Sequence, residues 1–239
     1  GMKIISLWSG PRNVSTALMY SFAQRPDTEV IDEPLYAHYL AESGADHPGK
    51  AETIASMEQN GDKVIENLLK YNSAKPHLFL KNMGHHYVGL NESFLSRFTN
   101  IFLIRNPLEM LPSLAKQLPN PILRDTALDK QVAIYKKIDP QDEQPIVIDS
   151  KYLLQNPEGV LKSICKHLDI PFYKNMLSWP AGPRKEDGSW AKYWYHNVHK
   201  STGFKSYEPK EAPFPGKLEP LLNECMPYYN FLHERAIKP

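Results

Sequence analysis

The stretch Trp8-Ser9-Gly10-Pro11-Arg12-Asn13-Val14-Ser15-Thr16 constrains this chain more than any other. An apolar run, Ile4-Ile5-Ser6-Leu7, precedes it and reads as a short buried strand. Behind it, Val14, Ala17, Leu18 and Phe22 are spaced to share one face of a helix. A strand, a tight turn and a helix start in that order make an anion site. The N–H groups of a first helical turn lack partners, and the helix dipole adds partial positive charge there. Arg12 supplies a full cation, Ser15 and Thr16 supply hydroxyl donors, and Gly10, Pro11, Asn13 and Val14 complete the candidate loop. That chemistry suits a phosphate or sulfate group. The alternative is an ordinary strand-to-helix loop whose helix is capped by Asn13 or Ser15. A Walker A loop requires G-x-x-x-x-G-K-[ST], and here the second glycine and the lysine are both missing.

The remaining pattern alternates strands with helices. Strands are expected at Thr28-Glu29-Val30-Ile31, His77-Leu78-Phe79-Leu80-Lys81, Ile101-Phe102-Leu103-Ile104-Arg105 and Gln144-Pro145-Ile146-Val147-Ile148-Asp149. Residues 36–49 read as a loop or short helix, and 50–70 as a helical pattern interrupted at Asn60-Gly61. Asn106-Pro107-Leu108-Glu109 and Asn156-Pro157-Glu158 are helix starts, with a capping residue followed by proline. Val160, Leu161, Ile164, Cys165 and Leu168 form an apolar stripe on the second of these helices. Such alternation specifies an α/β fold, a parallel β-sheet with helices on both faces. Ligands of such sheets sit beyond the carboxyl ends of the strands, where Arg12, Glu33, Lys81 and Arg105 all fall.

With 239 residues the chain is expected to form a single domain, 1–239. Lys+Arg 28 against Asp+Glu 27 leaves a net charge of +1, so no global field recruits nucleic acid or a membrane surface. Cys165 and Cys225 have no metal-type spacing and fit a reducing compartment. No signal peptide or bilayer-length apolar run is read, so a cytoplasmic location is expected, and Gly1 before Met2 reads as a remnant of an expression tag. Proline is frequent, at 21 residues. It gathers in the last third, which is expected to be loop-rich, with 178–215 as a lid or nucleotide-closing segment.

Pro11-Arg12-Asn13-Val14-Ser15-Thr16 resembles the 5′-phosphosulfate loop of the sulfotransferase family, Pro-Lys/Arg-Ser-Gly-Ser/Thr-Thr, at four of six places. It departs at Val14, where the family usually has glycine. A β-branched residue resists positive φ, so the loop here bends differently or donates fewer amides. Arg105-Asn106-Pro107, with Ser113 eight residues after Arg105, is similar to the family's 3′-phosphate motif, although a surface arginine and a helix serine would read the same way singly. The run from Val147 to Glu158 and on through His167-Leu168-Asp169-Ile170-Pro171-Phe172 looks like the family's strand-to-helix stretch. The likeness thus covers residues 2–172 in the right order. Gly182-Pro183-Arg184-Lys185 to Trp190 is similar to the family's basic loop that closes over the nucleotide, and Lys200-Ser201-Thr202-Gly203-Phe204 offers further donors and an aromatic ring for adenine. Trp190, Trp194 and Tyr195 read equally as core or lid aromatics.

The resemblance implies a P-loop NTPase-like sulfotransferase fold, of the bacterial type. It also implies transfer of a sulfuryl group from 3′-phosphoadenosine 5′-phosphosulfate to a hydroxyl or amine of a small-molecule acceptor, without metal. Sulfuryl transfer is kin to phosphoryl transfer, in which positioning and charge neutralisation dominate. Arg12, Lys81, Ser15 and Thr16 are the candidates at the bridging oxygen. The acceptor needs a general base. Glu33 matches the glutamate of several bacterial and carbohydrate sulfotransferases. His85 and His86 lie near the histidine of the cytosolic branch, at looser spacing. Glu33 is favoured as the base; its alternative is a capping carboxylate, Asp32 beside it fits either role, and the alternative for the histidines is a partly exposed loop pair. The acceptor pocket is expected around Tyr36-Ala37-His38-Tyr39, residues 42–60 and the loop near 117–125; the oligomeric state is not legible. Two rival readings are a small-molecule or nucleotide kinase, with Asp149 as a Walker B carboxylate and Ser15 or Thr16 on Mg²⁺, and a non-catalytic nucleotide-binding protein on the same fold.

Overall fold

The computed structural model describes residues 2–138 and 144–238; Gly1 lies outside the described residues. Lys3–Ser9 forms β1, Ser15–Ala23 forms α1, and β2 follows at Thr28–Asp32. Three short helices come next, α2 at Tyr36–Ser43, α3 at Lys50–Ser56 and α4 at Gly61–Leu69. β3 spans His77–Met83 and β4 Thr99–Ile104, followed by α5 at Pro107–Gln117, α6 at Leu123–Thr126 and α7 at Leu128–Lys137. β5, Ile146–Asp149, leads into α8 at Ser150–Gln155 and α9 at Pro157–His167. Only the four-residue helices α10, Ala191–Trp194, and α11, His196–His199, interrupt the loop-rich segment. The expectation of a loop-rich last third fails beyond it, where Glu219–His233 forms the long helix α12. Pro220 stands in its first turn, which needs no N–H donor, while Pro227 is carried inside.

All five strands expected from the apolar runs are present. They pair in parallel in the order β2-β3-β1-β4-β5, and the C-terminal residues extend the β5 edge through Ile237 N–H to the Val147 carbonyl at 2.8 Å. Side-chain alternation along the strands gives the sheet one core on each face. Ile4, Trp8, Leu78, Leu80, Phe102 and Val147 pack with α4, α5, α7 and α12 on one face. Ile5, Leu7, Val30, Phe79, Leu103 and Ile148 pack with α1, α8 and α9 on the other. The same parity that sends Phe79 to the α1 face sends Lys81 there, two residues on, together with Asp32 from β2. Lys81 is paired in register with both Leu7 and Asp32.

Four helix starts are closed by a side chain. Asn60 accepts from Lys63 N–H, Asn106 from Leu108 N–H, Asp149 from Lys151 N–H and Asn156 from Gly159 N–H. α1, which leads out of the candidate loop, is not among them.

Candidate active site

The β1–α1 turn sits at the carboxyl edge of the central strand. Its left-handed residue is Arg12, at φ 52°, while Val14 stays at φ −86° and ψ 29°. The left-handed bend therefore falls two residues before position 14, which answers the steric objection to valine there. Holding a non-glycine residue in that region costs about 1–3 kcal/mol. Val14 N–H is spent on Asn13 Oδ1 at 2.8 Å, so the loop does lose one amide. The capped alternative is not what forms: α1 starts without a side-chain cap, and among the described residues Ser15, Thr16 and Ala17 N–H find no backbone acceptor. The Asn13 amide nitrogen is also buried without a partner. Buried donors are ordinarily satisfied, and those of this cluster have no partner among the described residues.

Two guanidinium groups converge on it. Arg12 Nε donates to Ser113 Oγ at 3.1 Å, and Arg105 Nη1 donates to the Arg12 carbonyl. The two separated motifs are thus joined in one place. Among the described residues no carboxylate lies within 4.0 Å of either side chain. Burial depresses the pKa of both arginines. Lys210 is drawn down in turn by its burial and by the nearby charges of Arg105 and Lys116.

Lys81 forms the floor. Its ammonium, 2 % exposed, donates to Thr16 Oγ1 at 2.8 Å, Glu33 Oε2 at 2.8 Å and the Tyr195 hydroxyl at 2.6 Å, and lies 3.3 Å from Asp32 Oδ1. Burial opposes the lysine charge, and Asp32 and Glu33 more than reverse that, raising its pKa. Burial pushes Asp32 up to about 6, against the pull of Lys81 and with the push of Glu33. Asp32 also accepts from Gly188 N–H at 3.1 Å. Glu33 takes φ 41° just past the strand end, and its amide donates to the Lys81 carbonyl at 2.9 Å.

A cleft of about 470 Å³ joins these groups. One arm runs along the loop to Arg105, Ser113 and Tyr207. The other passes Glu33 to Tyr36, His47, His85, His86 and Trp194. The imidazoles of that second arm are held neutral: burial takes His85 to about 3 and His86 well below the ordinary range, and lowers His47. His85 and His86 are fully enclosed by Tyr36, Tyr39 and one another, with ring centroids 4.6–4.9 Å apart, not a half-exposed loop pair.

With this geometry in hand, comparison with known proteins is decisive. The family model described as "Sulfotransferase domain" matches residues 2–236. The chain belongs to the sulfotransferase domain family. Among solved structures it resembles the sulfotransferase domain from the curacin biosynthetic pathway, at TM-score 0.55 and 15 % identity over 95 % of this chain and 98 % of that one. It also resembles the sulfotransferase domain of the Synechococcus PCC 7002 olefin synthase, at 0.54 and 14 % over 94 % of both, and a sulfotransferase from Alicyclobacillus acidocaldarius, at 0.52 and 10 % over 98 % and 95 %. At those identities the likeness is one of fold, the P-loop-like α/β arrangement. Two Arabidopsis thaliana proteins, named branched-chain-amino-acid aminotransferase-like protein 2 and protein 1, are 43 % and 44 % identical over 97 % and 98 % of the chain. The chain spans only 41–42 % of their length.

Within the sulfotransferase domain, Arg12, Asn13, Val14, Ser15, Thr16, Glu33, Lys81, His85, Arg105 and Ser113 all line the cleft, with Pro11. Gly10 does not. It lets the turn pass the α6–α7 connection, where a Cβ would stand 3.1 Å from the Thr126 carbonyl. Arg184 and Lys185 are not brought to the cleft: Arg184 pairs with Glu186 at 3.1 Å and lies 5.5 Å from the Tyr20 ring, and Lys185 is exposed. The flanking stretch Lys205-Ser206-Tyr207 lines the cleft instead, beyond the basic loop that drew attention in the sequence. Asp149, the candidate Walker B carboxylate, is engaged within the fold. It caps α8, accepts from Tyr229 at 2.6 Å and meets His233 at 2.9 Å. That removes the structural ground for the kinase reading. Among the described residues no group of three or more His, Cys, Asp or Glu is placed to hold a metal, and no helix is long and apolar enough to cross a membrane. Phe204 lines the cleft with its ring against Trp179, centroids 5.1 Å apart.

Proposed function

We propose that this domain transfers the sulfuryl group of 3′-phosphoadenosine 5′-phosphosulfate to a hydroxyl or amine of a small-molecule acceptor. The observation that carries the reading is the meeting of Arg12, Arg105 and the uncapped start of α1 in one cleft with the Lys81–Glu33 pair. The Arg105–Ser113 side suits the 3′-phosphate and the α1 side the 5′-phosphosulfate. The donor supplies an activated sulfur whose leaving group is a nucleotide phosphate. Lys81, with Thr16 and the first-turn amides, neutralises the oxygen on which charge develops as the sulfur–oxygen bond breaks. Glu33 takes the proton of the acceptor as its oxygen or nitrogen bonds to sulfur. His85, with a pKa of about 3, is too weak a base for that step near neutrality, so its place is in the acceptor wall.

Calorimetric titration tests the assignment. With 3′-phosphoadenosine 5′-phosphate in chelator, micromolar binding is expected. In Arg105→Ala it weakens by roughly 10–100-fold, the loss of a charge-assisted contact. Preference for ATP with Mg²⁺ returns the kinase reading, and binding of neither nucleotide leaves a non-catalytic protein on this fold.

A further inference from the structure

We propose that Tyr195 is a positioning residue for the transfer, holding Lys81 and Glu33 in reacting register from a distant part of the chain. The proposal rests on the reading of those two groups given above. Tyr195 is 4 % exposed, and its hydroxyl is saturated. It accepts from Lys81 Nζ at 2.6 Å and from Trp190 Nε1 at 3.1 Å, and its single proton faces Asp32 at 2.8–2.9 Å and Glu33 Oε2 at 3.1 Å. Burial first, and then the two carboxylates, lift the phenol well above its ordinary pKa, so the donor persists throughout the working range.

The arrangement addresses a problem the strands leave unsolved. β2 and β3 place two carboxylates against one ammonium in a buried spot, with Asp32 able to draw Lys81 away from Thr16 and Glu33. A phenol proton between the carboxylates and a phenol oxygen on the ammonium fix the division of charge. Tyr195 is delivered by a segment built for that contact. Gly188 N–H donates to Asp32 Oδ2, and the chain crosses the buried Trp190 ring so closely that a Cβ at Gly188 would lie 2.0 Å from it. The other titratable groups beside Tyr195 are His199, with ring centroids 6.0 Å apart, and Asp187, which holds His199 at 2.8 Å.

The test uses Tyr195→Phe and, independently, Gly188→Ala, which displaces Trp190. Three quantities are read: calorimetric affinity for 3′-phosphoadenosine 5′-phosphate, cleavage of the sulfated donor with water as acceptor, and the ¹³C carboxyl titration of Asp32. In Tyr195→Phe, affinity stays as in the wild type and cleavage falls roughly 10–100-fold, the cost of misplaced reacting groups. The carboxyl titration, near 6 in the wild type, moves upward because a hydrogen bond to the ionised form is lost. Gly188→Ala changes cleavage and titration in the same directions. Wild-type cleavage and titration in Tyr195→Phe overturn the proposal. So does a parallel fall of affinity, melting temperature and cleavage with the titration in place, the mark of a packing role alone. A wild-type protein that binds no nucleotide overturns the functional reading instead, since the carboxyl titration is read without ligand.

Discussion

Lys81 puts a charge inside an apolar strand, which runs on to Met83, and that contradiction of the pattern made it readable as a site residue. Glu33 and Arg12 were readable for a related reason, since both follow strand ends in a parallel sheet, where ligands gather. Tyr195 offered no such signal. An aromatic among Trp190, Trp194 and Tyr193 fits a core as well as a site, and only the three-dimensional path of the chain brings its hydroxyl to Lys81. Two predictions belong to this scale. Glu33→Gln keeps an acceptor for Lys81 and Tyr195 and removes the base, so turnover falls roughly 10²–10⁴-fold while affinity for 3′-phosphoadenosine 5′-phosphate holds; full activity in a steady-state assay excludes Glu33 as the base. The second concerns His85. Its folded pKa of about 3 lies below the ordinary value of 6.5, so the unfolded chain binds the proton first as pH falls. Its stabilising contribution is complete above pH 6.5 and is lost between there and pH 3, at a slope approaching about 1.4 kcal/mol per pH unit. Denaturant unfolding across that window should show a shallower slope in His85→Gln than in the wild type, and equal slopes refute the assignment.

At the scale of elements, the β1–α1 unit combines a helix start without a side-chain cap and a left-handed arginine. Both are sensible if an anion completes the turn, and neither is legible from residue types, because Asn13 looks like a capping residue and instead bonds its neighbour's amide. The five strands were legible because strands buried on both faces read as apolar runs. α12 was not, because Pro220 and Pro227 resemble loop signals, although the helix packs Leu221, Cys225, Tyr229 and Leu232 into the core. Gly10 provides the test of the unit. A methyl group there meets the Thr126 carbonyl, so Gly10→Ala pushes the turn off the α6–α7 connection. Stability should fall by about 1–3 kcal/mol in denaturant titration, with weaker nucleotide binding by calorimetry. Loss of stability with binding intact separates the packing of the turn from the anion site.

At the scale of the molecule, the sheet order places β1 between β3 and β4, so the turns that carry Arg12, Glu33 and Arg105 rise along one edge. The two cores lie on opposite faces of that single sheet and share every strand, so neither can lose its packing while the other persists. Residues 2–238, expressed without any flanking sequence, should therefore unfold in one cooperative transition, although the plant relatives extend well beyond the matching region. Scanning calorimetry with equal calorimetric and van't Hoff enthalpies checks this. Since the cleft draws on the ends of β1, β2, β3 and β4 and on the 194–208 region together, a ligand bound there stabilises that whole transition. At a hundredfold excess over its dissociation constant, 3′-phosphoadenosine 5′-phosphate should add about 2.7 kcal/mol. Two resolved transitions, with only one moved by the nucleotide, would show that the two cores are separable and that the site belongs to one of them.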